Sequence, residues 1–347
     1  MKIKYFYRTI KMSLKDYIFF PDNDTENYSF YKRQEACDWS AEEFNFFKEK
    51  DDYLKASPGV QNLLKKIIGF FLIGDGLISD ALVDYIKEAL EEKNWPKIFY
   101  LSMQLKVENT HAETYSKAAL TIVPDSEHDE IISMCEKKEC LVKKGLWIQK
   151  NAFNENKALE LLGCAIGEGI FFVAQFAIIF YMRKLNLFKN FIESNEQISK
   201  DETLHRDQKC MEAKKYFVKS DYESSLVEKA LSMIKEAVEI EKIFARDLLD
   251  QPILGEQADR DAGLTIENLD GYIEMLADQI CHLTGLPLVY KKEVTLNWMT
   301  DINLSQKTNF YERDVVGSYR KFNPNKEDET EEQTNEEVFD NLEDADF

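Results

Sequence analysis

Apolar residues recur along this chain in steps of three and four, not two. Between Gln61 and Lys93 they fall at Leu64, Ile67, Ile68, Phe71 and Leu72, then at Leu82, Ile86 and Leu90, which is the period of an amphipathic helix. The same spacing runs from Trp95 to Ile122, Glu130 to Asn151, Asn156 to Leu187, Lys189 to Val218, Tyr222 to Leu249 and Leu269 to His282. Pro252 stops the Tyr222 segment. No alternating run bounded by Asn-Gly or Asp-Gly turns marks a strand, and no repeat of solenoid length stands out. The pattern predicts an all-α fold.

The flanks break the pattern. Residues 1–26 read as an irregular N-terminal arm, with Pro21 and the polar run Asp22 to Asn27. Residues 27–300 contain all of the periodic segments and form the expected helical domain. Residues 301–347 read as a C-terminal tail, acidic and polar from Phe322 onward. Phe339, Leu342 and Phe347 stand among those acids. This end reads either as a peptide that orders in a partner's groove or as a solubilising tail. The most apolar stretch, Gly169 to Met182, is interrupted by Gln175 and is too short to span a bilayer; it predicts a buried core helix and no membrane association.

Charge and cysteine usage narrow the function classes. The formal net charge is -20 over 347 residues, with no basic stripe to suit a nucleic acid. From Lys326 to Phe347 there are 11 acids against one lysine, so much of the charge is local. The six cysteines, Cys37, Cys135, Cys140, Cys164, Cys210 and Cys281, form no CxxC pair. They read as reduced thiols, and with no secretory signal in Met1 to Lys11 the expected location is the cytoplasm.

Chemistry enters through four histidines. Two of them follow a glutamate by three residues, in Glu108-Asn109-Thr110-His111 and Glu202-Thr203-Leu204-His205. On a helix, positions i and i+3 share a face, so each pair offers one carboxylate and one imidazole to the same point. Two such helices, with one carboxylate from each of two others, make the di-iron or di-manganese site of ferritin-like bundles. Solvated ion pairs are the bland alternative. Asp75 and Glu168 are single acids inside otherwise apolar helices; a buried carboxylate needs a cation, a hydrogen bond or a metal, and these two complete the ligand count. His128 and His282 lack such partners and read as surface or loop residues.

The strings Glu108-x-x-His111-x-x-x-Tyr115, Glu168-Gly169-Ile170-Phe171-Phe172 and Ser199-Lys200-Asp201-Glu202-x-x-His205 resemble the eukaryotic-type small subunit of class I ribonucleotide reductase. So do Tyr31-Lys32-Arg33-Gln34-Glu35-Ala36, Trp39-Ser40-Ala41-Glu42-Glu43, the segment around Asp75-Gly76, Asn309-Phe310-Tyr311-Glu312-Arg313, Val316-Gly317-Ser318-Tyr319 and the closing Asp344-Ala345-Asp346-Phe347. The resemblance runs from about Phe20 to Phe347. It implies a ferritin-like helical bundle holding two iron ions joined by an oxo bridge, with manganese as the other candidate metal. Asp75, Glu108 and His111 would bind one ion, and Glu168, Glu202 and His205 the other, with Glu108 bridging.

The resemblance further implies that Tyr115 becomes a stable radical inside an apolar pocket walled by Phe172, Phe176 and Ile198. Trp39 would relay the radical outward, linked through Asp201 to His111. Tyr319 would hand it to a large subunit, which the acidic C-terminus would dock and which would reduce ribonucleoside diphosphates. Activity would therefore require that large subunit. A dimer is implied, with a second copy or with a sibling small subunit. Read from the sequence alone, Tyr115 and Trp39 serve equally as core aromatics. The chain departs from the family pattern at Lys200, Asn45, Tyr28 and Gln175. Two other readings stand beside this one: a structural or regulatory paralogue with weak redox function, and a stand-alone ferritin-like oxidase or storage protein.

Overall fold

In the computed structural model residues 14–219, 224–294 and 296–299 are described, and among them the chain forms twelve α-helices and no strand. Short 3-10 turns at Leu14–Tyr17 and Pro21–Asp24 lead into α1 (Thr25–Ala36). Asp24 starts α1 by accepting the Asn27 amide at 3.1 Å, a side-chain cap on an otherwise orphaned donor. The buried positions of α1 are the polar Asn27 and Gln34, so this helix carries no apolar stripe that periodicity could reveal. After α2 (Glu49–Lys55) come the two long helices α3 (Pro58–Glu92) and α4 (Trp95–Ile122). Ser57 and Asn94 cap them, each followed by a proline in the first turn, where the missing N–H costs nothing. Lys93, in the left-handed conformation, separates the two.

Two segments that read as continuous are broken. Glu130 to Asn151 divides at Lys138 into α5 (His128–Lys137) and α6 (Glu139–Asn151). Asn156 to Leu187 divides at residues 170–172 into α7 (Lys157–Gly169) and α8 (Val173–Met182), followed by a 3-10 turn at Arg183–Leu185. Then follow α9 (Lys189–Lys219), α10 (Ser224–Leu248), the short α11 (Glu256–Asp261) and α12 (Ile266–Thr284).

α3 packs along α4, α7 along α9, and α4 meets α9. Outside this group, α10 packs on α6, α7, α8 and α12. The stretch from Lys157 to Leu185 is long and apolar enough to cross a membrane, yet its most apolar window is wholly buried among its neighbours, as a core helix requires. α7 and α9 approach so closely that a side chain at Gly169 would run into the stem of Arg206. The glycine after Glu168 thus lets that carboxylate's helix lie against α9.

Candidate metal centre

α4 presents Tyr100, Gln104, Glu108, His111 and Tyr115 in steps of four, four, three and four, one face of a helix. α9 does the same with Asn195, Ile198, Glu202, His205 and Lys209. α7 adds Glu168 from the side. Asp75 sits in α3, but its side chain lies outside the described residues, as do Tyr319 and the C-terminal tail.

The ligand atoms of Glu108, Glu168, Glu202 and His205 lie within 4.8 Å of one another, and all four residues are buried. His205 Nδ1 is 3.1 Å from Glu108 Oε1 and 3.4 Å from Glu202 Oε2. His111 Nδ1 joins the group 3.1 Å from Glu202 Oε1 and 3.6 Å from Glu108 Oε2. Yet among the described residues both oxygens of Glu202, Glu168 Oε2, His111 Nδ1 and both ring nitrogens of His205 have no hydrogen-bond partner. Buried polar atoms are almost always paired. Six orphaned ligand atoms of carboxylate and imidazole type, converging on one place, suit a hard transition-metal cation or a pair of them.

Charge at the cluster behaves accordingly. Burial pushes the Glu168 carboxyl up to about 8. Burial also presses upward on Glu108, but the His205 and His111 imidazoles override it and hold Glu108 well below the usual carboxylate range. Burial presses downward on His205, but Glu108 and Glu202 override it and raise the imidazole to about 10. The site attracts positive charge, and protons and metal ions compete for it.

Behind the cluster stands a support that the sequence reading missed. Gln104 Nε2 donates to Glu168 Oε1 at 2.9 Å and to Glu108 Oε1 at 3.4 Å. Its other end, Oε1, accepts from the buried Lys209 ammonium at 3.1 Å. An ammonium only donates, so Lys209 fixes which way the amide points. The signal was present: Gln104 precedes Glu108 by one turn, and Lys209 follows His205 by one turn.

On the opposite flank Asp201 forms a junction. Its Oδ2 accepts from Trp39 Nε1 at 2.8 Å and lies 3.1 Å from His111 Nε2, while Oδ1 accepts from Gln34 Nε2 at 2.7 Å. The Trp39 and His111 rings stack at 6.0 Å and 25°. Lys200, next to this junction, reaches Gln197 Oε1 at 3.3 Å.

Tyr115 is fully buried and its hydroxyl donates to Asn195 Oδ1 at 2.8 Å. Its ring lies parallel to Phe71, with centroids 4.4 Å apart and planes 3° from parallel. Phe172 and Phe176 both pack on Phe71, at 5.4 Å each, and Ile198 is fully buried. Phe71, one of the periodic apolar positions of α3, is the ring in stacking contact. Its signal was its place one turn before Asp75. Gln175 is buried with neither amide atom hydrogen-bonded; nothing in the structure explains it. His128 opens α5 with Nε2 3.0 Å from the Val123 carbonyl, and His282 is exposed in the last turn of α12.

Residues 17–297 match the family described as ribonucleotide reductase, small chain. The ribonucleoside-diphosphate reductase small chain of Vaccinia virus (strain Copenhagen) is 31% identical over 307 residues, which covers 88% of this chain and 91% of the viral protein. Among solved structures, the dimanganese(II)-NrdF of Streptococcus sanguinis superposes with a TM-score of 0.69 at 20% identity, covering 80% of this chain and 96% of that one. The ribonucleotide reductase R2 subunit from Clostridium botulinum gives 0.69 at 21%, covering 80% and 88%. At these identities the two structures speak to the fold: a ferritin-like bundle.

Proposed function

We infer, because the chain belongs to the ribonucleotide reductase small-chain family, that it is the small subunit of a ribonucleoside-diphosphate reductase and that its buried cluster holds two iron ions. The observation that carries the metal assignment is the convergence of Glu108, Glu168, Glu202 and His205 within 4.8 Å with orphaned donor atoms. Glu108, His111, Glu168, Glu202 and His205, with Asp75 from α3, are the residues that would hold the pair. With dioxygen, bound iron supplies an oxidant strong enough to take an electron from a phenol.

Tyr115 is the phenol we assign. Its hydroxyl donates to Asn195 Oδ1, a bond that orients the phenol within the pocket. Phe71, Phe172, Phe176 and Ile198 keep water and reductants from the ring. Trp39 is the outward relay: its indole N–H and the His111 ring share Asp201 Oδ2, so an electron and a proton can shift along one hydrogen-bonded chain. Tyr319 and the acidic tail, with Phe339, Leu342 and Phe347, are assigned to hand-over and docking on the large subunit. Leu72, Ile73, Val83 and Leu90 leave an exposed apolar stripe along α3, which suits pairing with a second small chain, a copy or a sibling.

The test is electron paramagnetic resonance on the purified protein after anaerobic ferrous loading and exposure to oxygen, with iron counted on the same sample. A tyrosyl signal with about two irons per chain supports the reading. Iron without a radical removes Tyr115 from its role, and manganese restoring turnover where iron fails reassigns the metal.

A further inference from the structure

The break between α7 and α8 falls between the metal carboxylate Glu168 and the pocket ring Phe172. Its hydrogen bonding is irregular. The Ile166 carbonyl accepts from Ile170 N at 2.8 Å and also from Phe171 N at 3.3 Å, five residues on, the spacing of a π-turn. Val173 N then reaches back three residues to the Ile170 carbonyl at 3.2 Å. Such a junction leaves backbone groups without helical partners, and in a core they must be satisfied otherwise.

Two charged side chains satisfy them. Lys144 of α6 places Nζ 2.5 Å from the Phe171 carbonyl. Glu241 of α10 accepts the Ala174 amide on Oε1 at 3.2 Å. The two meet at 2.7 Å through Glu241 Oε2, both with side chains 0% exposed. The ammonium also lies over the faces of Phe70, at 3.7 Å, and Phe244, at 4.1 Å. Phe70 in turn packs on Phe71 and Phe172. An ion pair buried this deeply contributes less stability than well-packed apolar residues of the same volume. Its positions on one orphaned acceptor and one orphaned donor of the same break explain what it does there.

We propose that Lys144 and Glu241 are positioning residues for the radical centre: their ion pair caps the α7–α8 break from both sides and so fixes the register at which Glu168 and Phe172 face the site. The consequence for the radical rests on the function inferred above; the capping itself does not. Without the clasp the segment from Glu168 to Phe176 can rewind toward a regular helix, which rotates Phe172 relative to Glu168.

The experiment compares the full-length chain with K144M/E241M, which replaces both charges by unbranched apolar side chains, and with K144M/E241Q, which restores an acceptor for Ala174. Hydrogen exchange is read on the metal-free proteins, and radical lifetime and line shape on the iron-loaded ones. In K144M/E241M, amides from Ile170 to Phe176 are expected to exchange about tenfold faster, the scale of one lost buried hydrogen bond, with α4 unchanged. The tyrosyl signal is expected to change shape and decay faster. In K144M/E241Q the Ala174 amide is expected to return to near wild-type protection. Unchanged exchange across the break in K144M/E241M overturns the proposal. Faster exchange with an unaltered radical retains the capping and overturns the positioning role. If the wild-type chain forms no radical, the function reading fails while the exchange comparison still decides the clasp. If neither double variant folds, the wild-type chain decides: Ala174 must rank with the slowest amides of α9, and ready exchange there overturns the clasp.

Discussion

Replacing Tyr115 with Phe removes one oxygen atom from the centre of the bundle. The ring keeps its parallel stack on Phe71, so no cavity larger than a hydroxyl opens. The bond to Asn195 Oδ1 at 2.8 Å is lost. Asn195 stays in place, because its Nδ2 still donates to the Phe191 carbonyl at 2.7 Å, but its oxygen faces an apolar edge. An acceptor stranded this way costs about 1–3 kcal/mol. At about 2 °C per kcal/mol, the low end of the range for domains of 150–250 residues, the melting temperature should fall by about 2–6 °C. The variant therefore stays folded. The cluster's ligand atoms come from Glu108, Glu168, Glu202 and His205 and survive the substitution, so iron should still load at about two per chain. The tyrosyl resonance should vanish. Melting, iron content and resonance are all measured on one preparation. A tyrosyl signal of undiminished intensity would refute the assignment and turn attention to Tyr100, which is buried with its hydroxyl unpartnered. A collapse of iron content would refute the separation between phenol and metal site.

Replacing Asp201 with Asn keeps the shape but turns an amide N–H₂ toward donors that now share one acceptor. The Tyr115 signal should form while turnover with the large subunit falls about 10–100-fold, the usual cost of disturbing a partner of a metal-bound histidine; normal turnover removes Asp201 from the relay. Replacing Tyr319 with Phe should leave the radical intact and stop turnover, and a working variant excludes it from hand-over. Acid should loosen α1 through Glu212. Burial presses its carboxyl upward, but Lys97 and Lys215 override this and hold it below the ordinary glutamate value of 4.5. The unfolded chain thus takes up this proton first. The stability from Glu212 is present above 4.5 and is lost as pH falls through the lower folded value. Because Glu212 also accepts Asn27 Nδ2 at 2.9 Å, E212Q should flatten the acid limb of the unfolding curve, and an unchanged limb places the acid sensitivity elsewhere.

α10 and α12 were legible because each has a polar face to contrast with its buried one; α4 begins and ends where its apolar spacing does, although its inward face is in part polar. The α7–α8 break was hidden by the same logic. Every residue from Leu161 to Met182 is buried, so the sequence is apolar all round and carries no phase that a break could shift. α1 was missed for the opposite reason, since its inward positions are amides. Lys138, where α5 and α6 part, is neither proline nor glycine; its backbone is extended there and its ammonium pairs with Asp247 at 2.9 Å, a tertiary cause that no local pattern carries. At the site, the i,i+3 pairs were visible because metal ligation needs rare residues at fixed spacing. Gln34, Gln104, Asn195 and Lys209 were not, because amides and lysines are common and acquire meaning only from what they touch.

Gln34 deserves a last consequence. Its amide reaches Asp201 Oδ1 across 167 positions of sequence, from a short polar helix at the edge of the bundle. The flanking Arg33 and Glu35 are not buried, while Gln34 is. In a saturation screen for growth, α1 should therefore look permissive except at its two buried amides, Asn27 and Gln34. Glutamate at 34 would set two carboxylates against each other, and leucine would strand Oδ1. The electronic demands of an interior carboxylate thus dictate the spelling of a peripheral helix, and drift at 34 can be accepted only together with a change at 201.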